Sequence, residues 1–198
     1  MKHNDIRNWI SSQRPRTFFW GSDVPGSIPA VESALSRMAN DPASPIIRVR
    51  QGLYWVKPKA TKFGFGRPDP MAAALVAAGP GSGPAGWSAS QALGLSTQLP
   101  ATPLIAVPGR PPKGLAGVDF VGRSNLSRCD LNQSEIAVLE VMRDFPDFTD
   151  RSKTWADAAT QIHNQIVMGR VDRNRLLTCA RNERNRRVRD RAQQLMEV

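Results

Sequence analysis

The chain holds only two cysteines, Cys129 and Cys179, fifty positions apart. They are too few for a disulfide scaffold and too distant for a zinc knuckle, and such sparse usage suits a reducing compartment. Histidine is equally scarce: His3 and His163 stand apart from each other and from both cysteines. No H-E-x-x-H, C-x-x-C or paired-carboxylate motif occurs, so no catalytic, metal or cofactor constellation is legible and the expectation is a protein that is not an enzyme. No apolar run approaches the ~20 residues of a membrane-spanning helix. Met1 to Trp20 is interrupted by charge and proline and lacks an apolar signal core, which points to the cytoplasm rather than secretion. The shortage with most consequence is acid. Seventeen Asp and Glu face 27 Lys and Arg, a net charge of +10 and a pI near 10.7, and that balance favours a polyanionic partner, most simply nucleic acid.

What is present is enough for a core: 198 residues, 40% of them hydrophobic, fit one large domain or, more naturally, two small ones. The charge is unevenly spread. Residues 1–67 carry eleven cations and four acids, a balance of +7; residues 68–169 carry seven and nine, −2; residues 170–198 carry nine arginines and four acids, +5. A basic head, a neutral middle and a basic tail imply two polyanion-facing surfaces, or one built from both ends.

In the head, Asp5 to Gln13 reads as a short helix with Ile6, Trp9 and Ile10 on one stripe, stopped by Pro15. Thr17 to Val24 reads as a second short helix or a turn. A better-defined helix follows, with Ser27 as N-cap, Pro29 and Glu32 in the first turn, and Val31, Ala34, Leu35 and Met38 facing inward. Ile46 to Arg50 and Leu53 to Val56 flank Gln51-Gly52 as a β-hairpin. Helices followed by a hairpin within ~60 residues is the order of a winged helix-turn-helix.

Lys59 to Pro70, rich in Lys, Gly and Pro with Phe63 and Phe65 between, reads as a connector. Met71 to Ala78 and Ser88 to Leu95 read as helices around a loop at 80–86. Leu104 to Val107 and Val118 to Val121 are expected to be antiparallel strands, and Asn132 to Phe145 an amphipathic helix. Thr154 to Met168 and Asp172 to Met196 are helical in pattern, the latter with a potential break near Asn182.

Gly81-Ser82-Gly83-Pro84-Ala85-Gly86 formally matches G-x-G-x-x-G. Pro84 removes an amide from the would-be phosphate cradle, and no acidic residue lies about 20 positions on to hold a ribose; a flexible loop is the better reading. Asp144, Asp147 and Asp150 lack the glycine turn of a calcium loop and read as a solvated acidic loop.

The nucleic-acid signal is stronger. With Val31, Ala34, Leu35 and Met38 inward, Ala30, Glu32, Ser33, Ser36 and Arg37 point outward on the groove-entering helix. Ser33 and Arg37 suit base edges or phosphates. Arg48 and Arg50 alternate with Ile47 and Val49, so both emerge on one strand face and, with Lys57, Lys59 and Lys62, make a basic wing and connector. The expected DNA-contacting set is Ser27, Ala30, Ser33, Ser36, Arg37, Arg48, Arg50, Gln51, Lys57 and Lys59. In the tail, Arg181, Arg184, Arg187 and Arg191 recur at helical spacing and share one face of a continuous helix, a second polyanion or partner surface.

The run Arg48-Val49-Arg50-Gln51-Gly52-Leu53-Tyr54-Trp55, followed by Gln91-Ala92-Leu93-Gly94-Leu95-Ser96-Thr97-Gln98-Leu99-Pro100, resembles AbiEi-type antitoxins over residues 5–125. The resemblance implies an autorepressor that binds operator DNA through its winged helix. It further implies a cognate AbiEii-type nucleotidyltransferase toxin as partner, and self-association on DNA. The expected architecture is therefore α+β and mostly helical: a winged helix-turn-helix at 1–67, then a mixed α/β antitoxin domain at 68–198 ending in an Arg-rich helical tail. Two alternatives stand beside it: an antitoxin acting purely by direct protein contact, and an RNA-binding protein. One Tyr and seven Phe offer few stacking platforms for the last.

Overall fold

Aromatic and β-branched residues at 46–50 and 53–56 favour strands, and the apolar residues spaced by three and four at 6–10 and 31–38 favour helices. The computed structural model describes residues 3–60, 62, 64 and 66–196. Phe63 and Phe65, read above as part of the connector, lie outside the described residues. The chain is α+β and 46% helical, with eight helices and two small sheets among the described residues. It divides into two compact units, residues 1–77 with 114–116, and residues 78–113 with 117–198. The division falls after Ala77, whereas composition alone had suggested residue 67.

The first unit runs α1 (His3–Ser12), β1 (Phe18–Trp20), a 3-10 turn (Gly21–Asp23), α2 (Ile28–Ala39), β2 (Ile46–Arg50), β3 (Leu53–Val56) and α3 (Pro70–Ala78). Its sheet has the order β1-β3-β2, antiparallel throughout. Thr17 to Val24 is thus a strand and a turn rather than a helix, because Phe18, Phe19 and Trp20 pair with Trp55, Tyr54 and Leu53. Ile6 and Ile10 of α1 and Val31, Ala34, Leu35 and Met38 of α2 bury against Phe19, Ile46, Tyr54 and Val56. Phe19 sits between Trp9, edge-on at 5.3 Å, and Tyr54, stacked at 5.6 Å.

The second unit comprises β4 (Gly83–Ala85), α4 (Gly86–Ala92), β5 (Leu104–Pro108), β6 (Asp119–Arg123), a 3-10 turn (Leu126–Asp130), α5 (Gln133–Asp144), α6 (Trp155–Val167), α7 (Arg173–Arg181) and α8 (Arg186–Gln194). Three sequence expectations change here. The glycine-rich segment at 80–86 is no flexible loop: Gly83–Ala85 is a fully buried strand paired with β5. A Cβ on Gly83 would lie 2.6 Å from Cβ of Ile136, and one on Gly81 2.5 Å from the Arg128 carbonyl oxygen, so these glycines permit close packing. The strands at 104–108 and 119–123 are parallel, not antiparallel; the antiparallel partner of β5 is β4, on its other edge. Finally, α5 is the core helix rather than a half-solvated one. Every residue from Glu135 to Met142 is buried, with β4, α4, α7 and α8 packed around it.

No helix among the described residues is long and apolar enough to cross a membrane. Cys179 is buried, and that burial pushes its thiol up to about 11, so it stays protonated at neutral pH.

Candidate nucleic-acid interface

In the first unit, helix α2 and the β2–β3 hairpin border a groove of about 550 Å³ lined by Trp20, Ile28, Glu32, Ser36, Arg48, Gln51 and Tyr54, among others. Pro29 in the first turn and an extended Ser27 at the N-cap start α2. The Ser27 hydroxyl makes no capping hydrogen bond. Ser27, Ile28, Ala30, Glu32, Ser33 and Arg37 are exposed on α2, and Ser36 is half-buried beside the groove. The Arg37 Nε donates to the Ser33 carbonyl at 3.3 Å, which lays the guanidinium back along the helix toward its N-terminal turns.

On the hairpin, Gly52 adopts φ +77°, the left-handed turn that a glycine accepts without strain. A bulge then breaks the ladder: Arg48 pairs with Tyr54, but Arg50 pairs with Leu53. Simple alternation between positions 48 and 50 therefore does not hold, and the two arginines rest on different rings. Arg48 lies over Tyr54 at 5.8 Å and points Nη2 at its hydroxyl, 3.5 Å away. Arg50 lies over Trp20, also at 5.8 Å. Gln51 is exposed at the turn and lines the groove with Arg48. Lys57 is half-buried and donates Nζ to the Pro42 carbonyl at 2.9 Å, so it ties the loop before β2 to β3. Lys59 is exposed in the connector.

The units differ in how they use their cations. Among the described residues, Arg37, Arg48 and Arg50 have no carboxylate within 4 Å, while every ion pair with fully buried partners lies in the second unit. There Arg128 bridges Glu140 and Glu183, both at 2.6 Å, Arg123 closes on Glu140, and Arg143 reaches Glu183 at 2.5 Å. Burial pushes the Glu140 carboxyl up, but the hydrogen bonds and charges of Arg123 and Arg128 overcome it and hold the group below its ordinary range. A third buried carboxylate, Glu135, accepts from Arg175 and from the backbone amides of Asn132 and Asp172. Sequence reasoning missed this network; its only trace is Glu135 and Glu140 on an otherwise apolar helix.

The tail is corrected most. Helix α7 ends at Arg181 and α8 begins at Arg186, so Arg181, Arg184, Arg187 and Arg191 do not lie on one continuous helix. Arg181 and Arg184 are exposed, and Arg187 sits 3.8 Å from Asp147 on the surface. Arg191 is committed internally: it donates to the carbonyls of Met142 at 2.6 Å and Phe145 at 2.9 Å, between the rings of Phe145 and Trp155. Glu183, in the same stretch as these arginines, is buried at 3% exposure. The acidic loop is also partly structural, since Asp150 accepts from the Ser96 hydroxyl at 2.7 Å. Among the described residues no cluster of His, Cys, Asp and Glu has the grouping to hold a metal ion.

No family model matches the chain. No curated protein matches it either. Among solved structures it is similar to the Rv2827c protein from Mycobacterium tuberculosis, at 17% identity and a TM-score of 0.48, over 98% of this chain and 75% of that one.

Proposed function

We propose that the first unit is a winged helix-turn-helix that binds double-stranded DNA, with α2 as the groove-entering helix and the β2–β3 hairpin as the wing. The observation that carries this reading is the set Arg37, Arg48 and Arg50: cations without carboxylate partners among the described residues, on the helix and hairpin that border one groove. The rings under Arg48 and Arg50 hold the guanidiniums without neutralising them, which suits phosphate contact. Exposed Ile28, Ala30 and Ser33 in the first turns of α2 have the size and chemistry to approach base edges. On this reading, and on the resemblance to AbiEi-type antitoxins, the protein is the antitoxin of a bacterial toxin–antitoxin pair. It represses its own operon and counteracts a cognate nucleotidyltransferase toxin.

The test is fluorescence anisotropy of the full chain on the duplex upstream of its own reading frame and on a scrambled duplex, across a salt series. The upstream duplex should bind at least about 10³-fold tighter at physiological salt, and both should weaken steeply as salt rises. Equal affinity for the two duplexes would remove the operator reading. A flat salt response would remove DNA binding altogether.

A further inference from the structure

The second unit carries a surface that the DNA-binding reading leaves unused. Helix α7 places Arg173, Leu177 and Arg181 at intervals of four, one stripe along its length. Against Leu177 and Arg181, the end of the chain brings Arg189, Ala192 and Met196, and together they line a hollow of about 190 Å³. Arg173 and Leu195, with His163 and Ile166 of α6, line a second hollow of about 80 Å³. The floor is apolar, and it is not sealed: Met196, in the larger hollow, is 44% exposed.

The rim cations are held by neutral groups. Arg173 donates to the Leu195 carbonyl at 3.0 Å, Arg181 to the Met196 sulfur at 3.7 Å, and Arg189 to the carbonyls of Glu183 and Arg184 at 2.5 and 3.0 Å. None of the three has a carboxylate within 4 Å among the described residues, in contrast to Arg123, Arg128, Arg143 and Arg175 of the same unit. Their side chains are thus positioned while their charge stays uncompensated. Holding like charges around an apolar floor is unfavourable in isolation and becomes favourable when carboxylates and an apolar anchor arrive together.

We propose that this groove docks an acidic amphipathic segment of a partner protein, with an apolar side chain on Leu177 and Met196 and flanking carboxylates on Arg173, Arg181 and Arg189. A nucleic-acid backbone offers the charge but no apolar knob for the floor, so the combination favours a protein segment. The inference is independent of the DNA-binding reading, since it uses no residue of the first unit.

A random peptide library displayed on phage and selected on the full chain tests it. Enriched peptides should combine Leu, Ile, Phe or Met anchors with Asp and Glu at helical spacing. Synthesised with a fluorescein label, they should lose about tenfold or more in affinity when Arg173, Arg181 and Arg189 are all changed to Gln. Met196→Glu, which leaves the cations in place, should also weaken them by repulsion. Should the triple variant melt early, Arg181→Gln alone decides, because that exposed side chain's one hydrogen bond among the described residues is to a thioether. Peptides without acidic excess, or acidic peptides indifferent to these substitutions, overturn the proposal. So does a triple variant that loses affinity for a random DNA duplex while peptide binding stays intact.

Discussion

Nε of Arg128 donates to Oε1 of Glu183 at 2.6 Å, with both side chains all but excluded from water. Arg128 belongs to the 3-10 turn before α5, and Glu183 to the connection between α7 and α8. One ion pair therefore fixes where the last helix starts, and Arg143 and Asn125 add second and third donors to the same carboxylate. Burying charge is costly unless each partner is matched, and here Nη2 of Arg128 and Nε of Arg143 remain without acceptors. The network fixes the geometry of the unit more than it adds net stability.

Removing one partner from this network should be expensive. Glu183→Ala leaves Arg128 and Arg143 facing an emptied site and should cost about 3–5 kcal/mol. Arg128→Met combined with Glu183→Leu should cost less than the sum of the two single changes, because neither member of this pair is left charged without the other, although Arg143 still loses Glu183 and Glu140 keeps only Arg123 and Arg143. Urea denaturation of the four proteins in this cycle measures the coupling. Additive costs would show that the pair does not act as a unit.

The two carboxylates at opposite ends of α5's last turns should respond to pH with opposite signs. Glu140 is held below its ordinary 4.5 despite burial, through Arg123 and Arg128, so its contribution is present above that value and is lost as pH falls through the lower folded value. Asp144 is pushed above its ordinary 3.8 by burial first and then by repulsion from Glu140; its ionised form costs stability at neutral pH, and the cost is relieved as pH falls through the raised value. Glu140→Gln should therefore be less stable than the parent at pH 7, with a gap that closes only as pH falls below the ordinary carboxylate range. Asp144→Asn should be more stable at pH 7, with a gap that shrinks on acidification. Thermal melts between pH 7 and pH 4 decide, and gaps of the same sign would contradict the assignment.

Much of the first unit was legible because its signals are local. Val31, Ala34, Leu35 and Met38 fall on one helical stripe, and Ile46–Arg50 and Leu53–Val56 flank a glycine turn; both sets are buried or paired as read. What sequence could not supply was tertiary choice. Phe18 to Trp20 becomes a strand by pairing with an edge of β3, and β5 finds its antiparallel partner in β4 while β6 lies parallel on its other edge, a choice that two short apolar runs do not encode. The buried charged network of the second unit was missed for a related reason. Arginine and glutamate are usually surface residues, and nothing in their spacing marks Arg128, Glu140 and Glu183, separated by 12 to 55 positions, as mutual partners. In the candidate interface, the exposed face of α2 followed from its buried face, while the bulge at Arg50 had no sequence signal.

Gly83 separates packing from phosphate binding. Its alanine variant places a methyl group 2.6 Å from Cβ of Ile136 and 2.9 Å from the Gln133 carbonyl, contacts that force β4 and α5 apart. Gly83→Ala should destabilise the protein by about 1–3 kcal/mol. The parent should show no change in melting temperature with added ATP or NAD, since this segment is a buried strand. A ligand-induced rise would restore the nucleotide reading of the glycine motif.

Arg191 should matter for folding and not for polyanion binding. It meets the carbonyls of Met142 and Phe145 at the C-terminal end of α5, where a cation is favoured by the helix dipole, and lies 5.0 Å over Trp155. Arg191→Ala should cost about 2 kcal/mol through the lost donors and ring contact, and Arg191→Lys should recover only part of it because an ammonium cannot span both carbonyls with a planar fork. DNA affinity measured below the melting transition should not change. A folded Arg191→Ala protein that melts normally but loses affinity for duplex would return this arginine to the surface ridge.

The wing and helix α2 should divide affinity from sequence preference. Arg48 and Arg50 sit on Tyr54 and Trp20 with no carboxylate partner within 4 Å among the described residues, so Arg48→Ala or Arg50→Ala should weaken all duplexes alike and lower the salt slope by about one unit each. Glu32 lines the same groove, where its charge opposes phosphate but can accept from a cytosine amine. Glu32→Ala should therefore raise affinity for scrambled duplex by roughly threefold, while the preference for the upstream duplex falls. Arg37 is laid toward Ser33, close to the first turns of α2, which on the proposed DNA-binding reading face base edges, and Arg37→Ala should then cost on the order of 1–3 kcal/mol on the preferred duplex. Its effect on scrambled duplex should be smaller. Anisotropy titrations of all four variants on both duplexes, at two salt concentrations, separate these effects. An Arg37→Ala protein that keeps its full preference, or a Glu32→Ala protein that binds scrambled duplex no better than the parent, would take α2 out of the groove.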